Sequence, residues 1–191
     1  ENNTVLLQFG RGKQSWGAGP NNFLILNNLS PSYDYGLLGL KLGHIKMKYF
    51  HGFLESIRKF DWNYNRYIYG RGLEWSNKKD FVVSISEVGI YQGIDRPIDL
   101  SFLNPLSNHI EIELNNRQNK LGNNQNAFWQ FSLDKYFFQK MRFYFNFLID
   151  ELTLDKDGEE YRESHLLALS GGVNFLIRES DRYYYLIKSN L

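Results

Sequence analysis

Cysteine is absent from the 191 residues, which excludes a disulfide framework and thiolate metal sites. No apolar run approaches the roughly 18 residues that a membrane-spanning helix requires. Neither charge sign is in excess: 22 Lys and Arg face 21 Asp and Glu, a net +1. No global field therefore recruits nucleic acid or acidic lipid, and the basic residues form no stripe among the acids. The start, Glu1-Asn2-Asn3-Thr4, has no basic or apolar region of a signal peptide, so none is expected within the chain. Catalytic signatures are missing too: neither G-x-S-x-G nor H-E-x-x-H occurs. His44, His51, His109 and His165 lack metal-ligand spacing. Asp155, Asp157 and Gly158 begin like a calcium loop but lack its bidentate glutamate, so they read as a solvated turn. Gly70-Arg71-Gly72 lacks the rest of a phosphate loop. No cofactor and no metal is expected.

What is abundant is aromatic, 17% of residues with 13 Tyr and 15 Phe, and the length suits one domain, 1–191. The apolar period is two, that of a strand with two unlike faces. Met141, Phe143, Phe145, Phe147 and Ile149 alternate with Arg142, Tyr144, Asn146, Leu148 and Asp150. Similar alternation runs through 36–42, 45–56, 127–134 and 164–177, with further strands at 66–76, 81–91 and 182–190 and candidates at 4–9 and 23–27. In 81–91 the apolar parity slips, from Phe81, Val83 and Ile85 to Val88 and Ile90, as either a bulge near Ser86 or Glu87 or a stretch that is not one strand would produce.

Connections alternate short (43–44, 77–80, 135–139, 178–181) with long (57–65, 92–126, 150–163), as in outer-membrane barrels. Strands of roughly 9 to 11 residues are also what crossing a bilayer at a tilt requires. A soluble β-sandwich or lipocalin-like barrel shows the same alternation with its apolar side inward. The series of large aromatics would overfill such a small core. Aromatics also gather at strand ends, at 49–50, 67 and 69, 136–138 and 183–185, where interfacial girdles belong. The expected fold is all-β, an antiparallel transmembrane β-barrel of outer-membrane type.

Residues 10–20 hold four glycines, a proline and a tryptophan, a density that lets another chain or a ligand come close to the backbone. The pattern G-R-x-x-x-x-W-G-x-G, followed by a short run ending in Asn27-Asn28, resembles the Wzi family of outer-membrane capsule-assembly proteins. Similar to that family, in order, are Glu87-Val88-Gly89-Ile90-Tyr91-Gln92-Gly93, Leu103-Asn104-Pro105 and Phe147-Leu148-Ile149-Asp150-Glu151. The resemblance implies a larger barrel of roughly eighteen strands, of which the strands counted here would be about half, with a closed eight- or ten-stranded barrel as the alternative; a half-sheet alone would leave edges a membrane does not tolerate. Residues 1–35 would then supply a plug in the lumen. It further implies a non-enzymatic, monomeric barrel in the bacterial outer membrane, surrounded by outer-membrane lipid, that retains capsular or other surface polysaccharide.

Sugar recognition needs planar polar groups for hydroxyls and an aromatic face for the C–H side. Arg11, Asn27, Asn28, Glu87, Asn104 and Asp150 could supply the first, Trp16 and Tyr91 the second. Each has a plainer alternative. Trp16 can wedge the plug against the wall, and Arg11 can pair with Glu87 or Asp150. Asn27 and Asn28 can simply turn the chain, and Asp150 can mark an aqueous boundary. Two rival functions stand beside polysaccharide retention: a channel or porin with the same polar lumen, and an outer-membrane hydrolase bringing Ser84 or Ser170 to His109 or His165.

Overall fold

A computed structural model describes residues 3–20, 24–27, 29–59, 61–112, 125–138, 140–150, 166–178 and 184–190. Nine strands form one antiparallel sheet in strict sequence order, β1 to β9. They are β1 (Thr4–Gly12), β2 (Tyr33–Leu42), β3 (Ile45–Lys59), β4 (Trp62–Ser76), β5 (Phe81–Ile94), β6 (Gln125–Phe137), β7 (Met141–Asp150), β8 (Leu166–Arg178) and β9 (Tyr184–Asn190), with a short helix α1 (Leu100–Leu103) after β5. Among the described residues β1 and β9 do not pair, so the sheet is open. The candidate strand at 4–9 is β1, whereas 23–27 contributes only a single bridge, Leu26 to Trp16.

Antiparallel register turns the period of two into rows that cross the sheet. One face carries Val5, Leu40, Met47, Leu73, Ile85, Phe131, Phe147 and Leu169 in register. The next row toward the short turns carries Leu42, Ile45, Trp75, Val83, Leu133 and Phe145. These rows are bare: Leu169 is 63% exposed, Phe131 44% and Phe145 37%. Folded monomers seldom expose so continuous an apolar surface.

The opposite face is polar and carries Lys46, Lys48, Glu74, Ser84, Gln130, Ser132, Asn146 and Ser170. It is also covered. Residues 13–20 and 24–27 form a strap across it, so we call it the strap face. Trp16, Leu26, Tyr33, Tyr35, Leu37, Phe50, Ile68 and Val88 make one core cluster there.

The strap explains the parity slip. Register runs unbroken from Val82 to Ile94 against β4 and from Phe81 to Tyr91 against β6. There is neither a bulge nor an interruption: Phe81–Ile94 is one strand. Val88 is apolar because it meets the strap cluster on the other side of the sheet. The irregularity falls instead in β3, between Leu54 and Ile57. The long connection expected at 57–65 is also corrected: β3 continues to Lys59 and pairs with Trp62. Long connections remain at 13–32 and after β5 and β7. The expected calcium-like turn at 155–158, and His165, lie outside the described residues.

Candidate functional site

The strap is held by side-chain amides that imitate a sheet partner. Asn146 Oδ1 accepts the Ala18 amide N–H at 2.7 Å, and its Nδ2 donates to the Ala18 carbonyl at 2.9 Å. Gln130 Oε1 accepts the Ile25 amide at 3.0 Å, and Nε2 donates to Ser132 Oγ. Both amide side chains are fully buried. An unpaired amide there costs far more than a paired one contributes, so the pairing is specific. Gly19 lies directly behind, at φ +90°, where a Cβ would overlap the Tyr144 ring.

Trp16 sits edge-on to Phe50, centroids 5.3 Å apart. Its six-membered ring lies over Gly72, where a Cβ would come within 3.1 Å. Trp16 thus packs the strap against the sheet. Its indole also forms one wall of a cavity of about 110 Å³ shared with Ser15, Lys46, Lys48, Glu74, Ser84 and Ser86. Lys46 Nζ stands 3.6 Å from Glu74, so two ammonium groups face one carboxylate and the groove keeps a positive excess. The hydroxyls and charged groups around it can donate and accept hydrogen bonds, beside the edge of a largely buried indole.

The other expected site residues do not gather here. Arg11 projects from edge strand β1 on the opposite face and pairs with Asp34 at 3.3 Å, both well exposed. Its expected partners, Glu87 and Asp150, lie elsewhere. Asn27 Oδ1 accepts the Leu29 amide and Asn104 Oδ1 the Leu106 amide, each closing a local turn. Asn28 lies outside the described residues. Asp150 ends β7 on the strap face, opposite Phe128 and Leu166.

Glu87 and Tyr91 lie across the sheet from Trp16, beneath residues 95–112. Tyr91 is fully buried, stacked on Phe102 at 4.2 Å and Tyr67 at 4.8 Å, with its hydroxyl 2.8 Å from His51 Nε2. The aromatics expected as an exposed girdle at this end, Tyr49, Tyr67 and Tyr69, are instead buried by this segment. Glu87 faces Arg71 at 3.7 Å and accepts the His109 amide at 3.3 Å. Ser84 and Ser170 occupy the strap face, whereas His109 packs against Glu87 and Trp129 on the other. The hydrolase pairing through His109 is therefore not assembled. Among the described residues no group of three or more His, Asp or Glu could hold a metal.

Sequence reasoning missed Lys46, Lys48, Gln130 and Asn146. A usable signal existed for the two amides: each holds the polar parity of a strand whose other parity is aromatic.

The covering segment carries a pH-sensitive anchor. Burial pushes the Asp99 carboxyl up, but hydrogen bonds from the Ser101 hydroxyl and amide and from Arg96 outweigh it, holding it below the ordinary carboxylate range. A depressed folded-state value contributes stability above the unfolded value of about 3.9, lost as pH falls through the folded one. Amide protection at 95–103, measured relative to the intrinsic exchange rate at each pH, should therefore fall below about pH 4. Asp99→Asn should remove that pH dependence.

No protein family, curated protein or solved structure matches this chain.

Proposed function

We propose that the chain forms wall and plug of an outer-membrane β-barrel, and that its strap-face groove retains an acidic surface polysaccharide. One observation carries the reading: the exposed face is apolar across successive rows while the opposite face is polar and occupied by a strap. A soluble sandwich needs the reverse arrangement, with its apolar parity packed inward. A lumen filled by a strap favours holding a chain over conducting small solutes.

Binding by the full-length protein to immobilised acidic capsule-type polysaccharide tests it. The Lys46→Gln and Lys48→Gln double variant should weaken retention by roughly tenfold, about one lost charge-assisted contact. Arg11→Ala, remote from the groove, should leave retention unchanged. Equal retention by wild type and the double variant would remove the groove. Absence of binding together with discrete conductance in planar bilayers would replace retention with the channel reading.

A further inference from the structure

One row that crosses the apolar face changes character along its length. It holds Tyr49, Arg71, Glu87, Trp129, Ile149 and Leu167, in register on β3 to β8. On β7 and β8 the row is apolar, and Leu167 is bare. On β4 and β5 it is an ion pair, and a charge turned toward hydrocarbon is unfavourable. The bare apolar surface is correspondingly short there. β4 presents Trp75 and Leu73 before Arg71, whereas β7 continues through Phe143, Phe145 and Phe147 to Ile149.

The covering segment is fastened to the polar part of this row. The Tyr49 hydroxyl donates to the Phe102 carbonyl at 2.8 Å, Glu87 accepts the His109 amide, and Trp129 Nε1 donates to His109 Nδ1 at 3.1 Å. Beneath the segment the Arg71 guanidinium lies over the Tyr69 ring, 4.9 Å from its centroid. The Arg71 and Glu87 side chains are both almost closed to solvent. The segment thus keeps the ion pair off the exterior.

Its own outer side is apolar as well. Phe102, His109 and Ile112 are buried, while Leu100 and Leu106 are 77% and 79% exposed, and Ile98 and Leu103 are exposed too. From Pro97 to Ile110 the sequence holds no Lys, Arg or Glu. Its one acid, Asp99, is engaged by Ser101 and Arg96, and His109 is buried beside Glu87. A segment that covers a core in water normally turns charge outward; this one turns leucines. Leu106 also lines the same cleft as Met47, Leu73 and Ile85, together with Glu87, so the bare rows and the segment form one continuous apolar surface.

We infer that residues 98–106 lie in the membrane interface, with the Leu100 and Leu106 side chains reaching the acyl boundary. Lipid is the occupant for three reasons. The surface offers apolar area without charge, it continues rows of the same makeup, and it lies at the end of the strands that carries the long connections, where an interface meets them. Interfacial depth, rather than the hydrocarbon centre, suits its irregular backbone, because water remains within reach of amides the fold leaves unpaired. The inference rests on the barrel part of the proposed function and is independent of the polysaccharide.

Because these 191 residues lack cysteine, a single introduced cysteine carries one fluorophore. The full-length protein bearing Leu100→Cys or Leu106→Cys, labelled with bimane and inserted in phosphatidylcholine vesicles, tests the inference. Leu169→Cys in the bare rows and Lys79→Cys in an exposed tight turn calibrate lipid and water. A shallow doxyl lipid should quench both positions of the segment, and iodide should quench them roughly half as strongly as Lys79→Cys or less. Iodide quenching equal to that at Lys79→Cys, with Leu169→Cys quenched by lipid, overturns the interfacial segment and leaves the barrel standing. Shielding from both quenchers would mean that a second copy or another protein covers the leucines, and overturns it as well. Iodide access at Leu169→Cys refutes the barrel reading and the interfacial segment together.

Discussion

Phe145→Arg should abolish assembly into lipid vesicles while leaving little trace in any water-borne form of the protein. Phe145 lies near the middle of β7 and is exposed, beside Leu133 in the next strand. An arginine facing hydrocarbon near the bilayer midplane costs about 2–4 kcal/mol, enough to shift most molecules out of a marginally stable barrel. The same change at an exposed position facing water stays within about 0.5 kcal/mol. Leu169→Arg, in the adjoining row on β8 and 63% exposed, should behave alike. The check is the fraction of protein protected from protease in vesicles after refolding. If both variants insert as well as wild type, the apolar rows do not face lipid, and the barrel reading fails.

One residue along the same strand, Asn146→Ala should release the strap. Phe145 and Asn146 point to opposite sides of the sheet, so the two variants interrogate the two faces separately. The Asn146 side chain alone pairs both the amide and the carbonyl of Ala18. Its loss leaves two buried backbone groups unpaired, each worth about 1–3 kcal/mol. Trypsin should then cut after Lys13 at least tenfold faster, and on the proposed barrel reading the full-length protein should gain pore conductance. Asn174→Ala, on the same face but paired to Arg142 and Lys188 positions away from the strap, should do neither. Unchanged cleavage in Asn146→Ala would mean that the aromatic wedge of Trp16 and Phe50, not the amide ladder, holds the strap.

The strands were the legible part of this protein. β2, β6, β7 and β8 each announce themselves by alternation, because a strand with unlike faces must alternate. The tight turns at 43–44 and 77–80 followed from the punctuation between alternating runs. β5 was misread where it meets the strap. A local pattern registers only that an apolar residue changes parity; it does not show that a distant segment has made the polar face locally greasy. Val88 needed Trp16, 72 positions earlier in sequence, to make sense.

Site residues fared differently for the same reason. Trp16 was legible because a lone large ring among glycines has few uses. Arg11, Glu87 and Asp150 carried suitable chemistry, yet register sent them to separate rows and faces. Asn146 and Gln130 carried no motif at all. Alternation and turn chemistry are local, written within a few residues, so the chain alone determined an antiparallel sheet with one apolar and one polar side. Which polar side chains share a groove and which face the strap covers depend on contacts between residues distant in sequence, up to the 128 positions between Ala18 and Asn146. Such contacts exist only once the sheet has assembled, and only the tertiary structure decided them.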